Sequence, residues 1–173
     1  MENLCKSQLA PTMISEFHRH LQAAQGYLEL GMVNDAVEAL EDIEPELKTA
    51  PEVITVRVGI YEHLKRWEEV AMMARILVKM LPDEVKWWLK LAIATRRSKS
   101  PHEAIEILLQ AEMKYPQDAL IKYNLAGCYC QLGKLDDAKN RLGAAIGLSA
   151  DMRRLALDEP DFAALFAESE LSD

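Results

Sequence analysis

Like residues return every 34 positions along most of this chain, and a fixed period of that length restricts it to an array of small supersecondary units. Tyr27 and Tyr61 set the interval; Tyr129 lies two intervals beyond Tyr61, with Thr95 in the slot between. Windows 17–50, 51–84, 85–118 and 119–152 then align without a gap. Ala24, Val58, Ala92 and Ala126 share one column, and Ala36, Val70, Ala104 and Ala138 another. Leu40, Ala74, Leu108 and Leu142 form a third, Ile43, Leu77, Ala111 and Ala145 a fourth. Pro82 and Pro116 close the second and third windows at the same place.

Within a window the apolar residues keep helical spacing and are interrupted once near the middle. In the last window Leu125, Ala126 and Tyr129 mark one face, Gly133 stops the helix, and Leu135, Ala138, Leu142 and Ala145 resume it. Each window therefore reads as a helix, a tight turn and a second helix. Small residues such as Ala126 and Ala138 belong where the two helices cross, because bulky side chains on both would hold the backbones apart. Ser100, Pro101 and Glu103 spell an N-cap, a first-turn proline and the far half of a capping box, an independent start signal for a second helix. Composition agrees: Ala and Leu number 46 against 22 for Val, Ile and Thr together, with only 7 Gly and 7 Pro. At 173 residues, 50% hydrophobic and 28% charged, the chain suits one compact unit and is too apolar for disorder.

These columns closely resemble the tetratricopeptide repeat family, whose unit is a helix pair with Trp, Leu-Gly, Tyr, Gly, Ala, an aromatic or Leu, Ala and Pro at set places. The resemblance covers residues 17–152. The third window supplies Trp88, Leu91, Ala92, Ala104, Leu108, Ala111 and Pro116; the fourth supplies Leu125, Ala126, Tyr129, Gly133, Ala138, Leu142 and Ala145. It implies an all-α fold, a right-handed α-α superhelix of four helix pairs plus a C-terminal capping helix. Departures are local. His20 replaces the aromatic of the first window and Lys48 its closing proline, while Pro45 lies inside the expected second helix, which should then end early or kink. Lys65 and Lys99 replace the turn glycine, and Arg57 takes a usually apolar place.

The layout that follows is a flexible segment at 1–12, four repeats within 13–152, and a capping helix with a tail at 153–173. The first helix is expected to begin near Thr12 or Ser15. Residues 152–157 start a fifth unit, Asp158-Glu159-Pro160-Asp161 interrupts it, and Phe162, Leu165 and Phe166 give one more short amphipathic helix. A repeat array buries apolar surface only between neighbours, so a last helix with an acidic outer face should cover the open end.

Motifs for chemistry are absent or incomplete. His102-Glu103-Ala104-Ile105-Glu106 matches the start of a zinc-protease motif but carries Glu106 where the second histidine belongs. His18 and His20 lie two apart on a helix and point about 200° from each other, so they do not converge on one ion; the same spacing separates Cys128 and Cys130. Cys128 is expected in the core as a small hydrophobe and Cys130 nearer the groove. There is no phosphate-cradling glycine loop and no nucleophile elbow. Neither an enzyme, a metal site nor a cofactor is expected. No apolar run of about 18 residues occurs, and residues 1–20 lack the roughly 7 to 15 residue apolar core of a secretory signal. Three cysteines, an odd number, do not make a disulfide scaffold. The expectation is a soluble protein of a reducing compartment, the cytoplasm, with no membrane insertion.

A net charge of −8 argues against nucleic acid as a partner, since affinity for phosphates depends on cation density. The charge is unevenly spread. Residues 1–50 carry 3 cations and 9 anions, residues 51–100 carry 10 and 6, and residues 151–173 carry 2 and 7. A basic middle between acidic ends creates a local field.

The family resemblance implies that the first helices line a concave face that receives a partner's peptide or helix. The positions left over by the internal stripe are Lys86, Leu89, Lys90, Ile93, Arg96 and Arg97 in the third window, and Leu120, Tyr123, Asn124, Gly127, Cys130 and Gln131 in the fourth. In the second they are Glu52, Thr55, Val56, Gly59, Glu62 and His63. From these, Lys86, Leu89, Lys90, Ile93, Arg96, Arg97, Tyr123 and Asn124 are the candidate partner-binding residues. Cations would steer an acidic, partly hydrophobic protein segment while Leu89, Ile93 and Tyr123 anchor it. Gly59 and Gly127 would either let a ligand backbone approach closely or merely relieve helix crowding. The carboxylate clamp that some relatives use for chaperone C-termini is not matched: Leu21, Gln25 and Val56 stand in its first three places, and only Lys86 and Lys90 are compatible. The leading expectation is a protein-binding adaptor. A client-specific chaperone, like the small repeat chaperones of secretion, and a self-associating structural protein are the alternatives.

Overall fold

A computed structural model describes residues 11–170, with side chains for 12–166. Residues 1–10 of the expected loose segment, and the tail beyond 170, lie outside the described residues. Every regular element among those described is a helix. The chain divides into two compact units, Met1–Met73 and Ala74–Asp173.

The first unit holds α1 (Pro11–Glu29), α2 (Val33–Glu41), a 3-10 turn (Pro45–Leu47), α3 (Pro51–His63) and the start of α4 (Trp67–Met80). Gly31 ends the hairpin turn at φ 74°, which only glycine adopts without a Cβ clash. The N–H of Met32 then returns to the Tyr27 carbonyl at 2.8 Å. The α3/α4 turn repeats this bond, Arg66 to Tyr61 at 2.9 Å, although Lys65 must hold φ 55° to do so. Helix α2 ends early, at Glu41, as Pro45 requires. Glu44, ahead of the proline, is extended at φ −52°, ψ 137°, because the ring of Pro45 disfavours a helical residue before it.

Two departures from the repeat pattern in this unit meet at one carboxylate. The Lys48 ammonium donates to the Glu41 carbonyl at 2.9 Å and to its side chain at 2.7 Å. Arg57 reaches the same side chain at 3.4 Å. Lys48 therefore closes the last turn of α2, where a cation is favoured, and its hydrogen bond holds the Glu41 carboxyl below the usual range.

The second unit continues α4 and adds α5 (Val85–Ser98), α6 (Pro101–Lys114), α7 (Ala119–Gln131), α8 (Leu135–Leu148), α9 (Asp151–Asp158), a 3-10 turn (Pro160–Phe162) and α10 (Ala163–Glu170). The hydroxyl of Ser100 accepts from the Glu103 N–H at 3.3 Å, so the forward half of the capping box forms. The Glu103 carboxylate pairs with Lys99 at 3.3 Å. Lys99 is not left-handed (φ −130°); α5 instead runs on to Ser98, and the Lys99 N–H still bonds helically to Thr95 at 2.9 Å. Asp118 caps α7 by accepting from the Ile121 N–H at 2.9 Å. Gly133, at φ 69°, closes the last hairpin, with Lys134 N–H on the Tyr129 carbonyl at 3.0 Å. Glu112 on α6 ties three helices together, taking Lys122 of α7 and Arg141 of α8 at 2.7 Å each.

The repeat columns supply the core. In all four columns every residue is buried, from Ala24 and Ala36 at 0% exposure to Leu142 at 6%. The fold is all-α: four helix pairs, with α9, the 3-10 turn and α10 covering the C-terminal end.

Candidate functional site

Residues of α5 and α7 border a cavity of about 230 Å³ in the second unit. Helix α5 contributes Ile93, Arg96 and Arg97, spaced so that all three share one side of the helix. Helix α7 contributes Leu120, Tyr123, Asn124 and Gly127. The remaining wall, Glu159, Asp161 and Phe162, comes from the C-terminal turn.

Two hydrogen bonds and a ring contact bind that turn to the helices. Arg96 Nη1 donates to Asp161 Oδ2 at 3.2 Å, and the Gln131 side-chain amide donates to the same oxygen at 2.9 Å. Tyr123 packs on Phe162 with ring centroids 5.0 Å apart and planes inclined by 55°, a favoured tilted geometry. Burial pushes the Tyr123 hydroxyl pKa up, with Glu159 adding to it. Gly127 makes the close approach possible: a Cβ there would stand 2.9 Å from Arg96 Nη1. Its missing side chain is thus used by Arg96 of the same chain.

The eight candidate binding residues divide. Ile93, Arg96, Arg97, Tyr123 and Asn124 come together around the cavity; Lys86, Leu89 and Lys90 do not line it. Lys86 is exposed, pairs with Glu84 at 2.6 Å and lies over the Trp87 ring at 4.9 Å. Leu89 packs against the core cluster formed by α5, α6 and α7. Asn124 donates to the Leu120 carbonyl one turn back, at 2.8 Å. In the first unit the positions assigned to the same face behave differently. Val56 is buried at 3% exposure, and a Cβ on Gly59 would meet Leu28 Cδ2 at 2.5 Å, so that glycine serves helix packing between α1 and α3.

Asp161 and Phe162 were the residues that spacing within the repeats could not assign. Asp161 belongs to the acidic run read only as an interruption of the fifth unit, and it turns inward to Arg96. Cys128 is buried and Cys130 half-buried, both as free thiols. Burial pushes Cys128 up to about 11, and burial with the charge of Asp161 does the same for Cys130. Among the described residues no group of three or more His, Cys, Asp or Glu side chains is placed to hold a metal ion. No described helix is long and apolar enough to cross a membrane.

Residues 96–165 match the family model described as Tetratricopeptide repeat. Solved structures agree over most of the chain. A crystal structure of MamA protein superposes with a TM-score of 0.72 at 14% identity, covering 90% of this chain and 84% of that one. TTC0263, a thermophilic TPR protein of Thermus thermophilus, gives 0.63 at 19% identity, over 88% and 82%. YrrB, a TPR protein with an unusual peptide-binding site, gives 0.64 at 13% identity, over 87% and 76%. No curated protein matches by sequence. Residues 96–165 thus match a tetratricopeptide repeat model, and the chain shares its all-α fold with these solved structures.

Proposed function

We propose that this protein is an adaptor whose α5/α7 face binds an acidic, partly apolar segment of another protein. The observation that carries this reading is the cavity itself, in which Arg96 and Arg97 border an apolar floor of Ile93, Leu120 and Tyr123. Lys86 and Lys90, on the same helix, extend the basic field beyond the cavity. Exposed charge pairs contribute only about 0.2–1 kcal/mol each, so cations steer the encounter and the apolar floor supplies most of the affinity. The unusual peptide-binding site of YrrB lends support by analogy of fold. Two free thiols on α7 favour the cytoplasm or another reducing compartment as its place of work.

The test is selection from a random peptide library by the wild-type chain and by a Lys90→Glu/Arg97→Glu variant of equal helicity. Wild type should enrich sequences with Asp or Glu beside Leu or Phe, and the variant should lose them. Identical selections from both would show that the face is wrongly assigned.

A further inference from the structure

The cavity's third wall has the chemistry that the other two walls are suited to bind. We infer that residues 159–162 are an intramolecular stand-in for the partner: the recognised segment presents a carboxylate directly followed by an aromatic ring, and it must displace this turn to dock fully. This rests on the docking face proposed above and adds its regulation and its motif.

Three observations support it. Asp161 meets the guanidinium of Arg96 at 3.2 Å and the amide of Gln131 at 2.9 Å, so a carboxylate is held here by two donors from different helices. The next residue, Phe162, lays its ring on Tyr123 and is 1% exposed. An acid and an aromatic at successive positions thus fill adjoining charged and apolar subsites. Finally, the turn lies outside regular helix: α9 ends at Asp158, Pro160 opens a three-residue 3-10 turn, and α10 follows. Its release need not unwind α7 or α8.

Exchange of one acid-aromatic pair for another refills the places of Asp161 and Phe162, the latter within the apolar cluster of Ala126, Ala138, Leu142, Ala156 and Leu165. What protects the docked turn is its tether, which gives it an effective concentration on the order of millimolar. A free segment of the same chemistry is therefore weakened in proportion to the fraction of chains whose turn is open.

The probe is a fluorescein-labelled peptide of residues 157–166, LDEPDFAALF, titrated into the full chain and followed by anisotropy. Asp161→Asn, which keeps the shape of the turn and removes its charge, should bind the probe at least tenfold more tightly than wild type. Phe162→Ala should do the same, provided its helical circular dichroism is unchanged. A probe carrying Asn at the Asp161 position should lose the gain. Equal binding by wild type and variants overturns the stand-in while leaving the face as a docking site; no binding to any chain overturns both. Binding that survives Arg96→Glu puts the probe elsewhere and also overturns the inference. Amide exchange of the unmodified protein gives a check independent of variants. Amides of residues 161–166 should exchange faster than those of α7, and exchange only together with α7 and α8 would overturn the opening step.

Discussion

Arg96 on α5 and Asp161 in the C-terminal turn, 65 residues apart in the chain, meet at 3.2 Å with their side chains only 15% and 23% exposed. A partly buried pair of this kind makes each partner costly to remove alone, because the other is left in a poorly solvated place.

Asp161→Ala should lower the stability of the chain by about 1–3 kcal/mol, and adding Arg96→Ala should restore part of the loss. Urea unfolding of both single variants and the double variant gives the coupling energy. Strictly additive losses would mean that the pair contributes nothing as a pair.

The Glu112 cluster should make stability depend on pH. Burial alone would push the Glu112 carboxyl up, but the hydrogen bond from Lys122 and the charge of Arg141 outweigh it and hold the group below the usual carboxylate range. A carboxyl depressed in the folded state stabilises above its unfolded value, about 4.3, and that contribution is lost as pH falls through the folded value. Glu112→Gln should therefore cost about 1–2 kcal/mol at pH 7. The gap from wild type should narrow steadily below about pH 4. Urea midpoints at pH 7 and pH 3 check this, and a gap of constant size would contradict it.

Lys65 holds a left-handed turn conformation that Gly31 and Gly133 take at the equivalent places. Relief of its Cβ clash exceeds the added chain entropy of glycine, so Lys65→Gly should stabilise by about 0.5–1 kcal/mol. Lys99→Gly should bring no such gain, since Lys99 sits at φ −130°. Thermal midpoints of the two variants compare them directly.

Thiols raised to about 11 are protonated at neutral pH and react slowly, because the thiolate is the nucleophile. In a Cys5→Ser background, iodoacetamide at pH 7.5 should leave Cys128 and Cys130 largely unmodified in the folded chain and label both in urea. Rapid labelling of Cys130 in the folded chain would count against its raised value.

Much of this molecule was legible from the residues. The 34-residue columns identified the buried side chains because each helix pair meets its neighbours through the same positions, so burial recurs with the period. Pro45 announced the early end of α2, and Ser100 the start of α6, because both act on the backbone within a few residues. The departures were visible too, though not their use. Nothing in the first window says that Lys48 and Arg57 share Glu41, since that depends on how α3 lies against α2.

The candidate face shows the same division. Ile93, Arg96, Arg97, Tyr123 and Asn124 could be placed on one side of two helices by spacing alone. That Val56 is buried, or that Gly59 accommodates Leu28, could not be read, because both depend on which neighbouring helix leans on that side.

By itself the sequence determined the hairpins, their order and the side chains they bury, for these follow from local propensity and a repeated pattern of contacts. Only the tertiary structure decided that the acidic turn after Pro160 folds back on Arg96 and Tyr123. That contact depends on the direction in which a chain leaves its last helix, a long-range outcome of packing that no short spacing encodes.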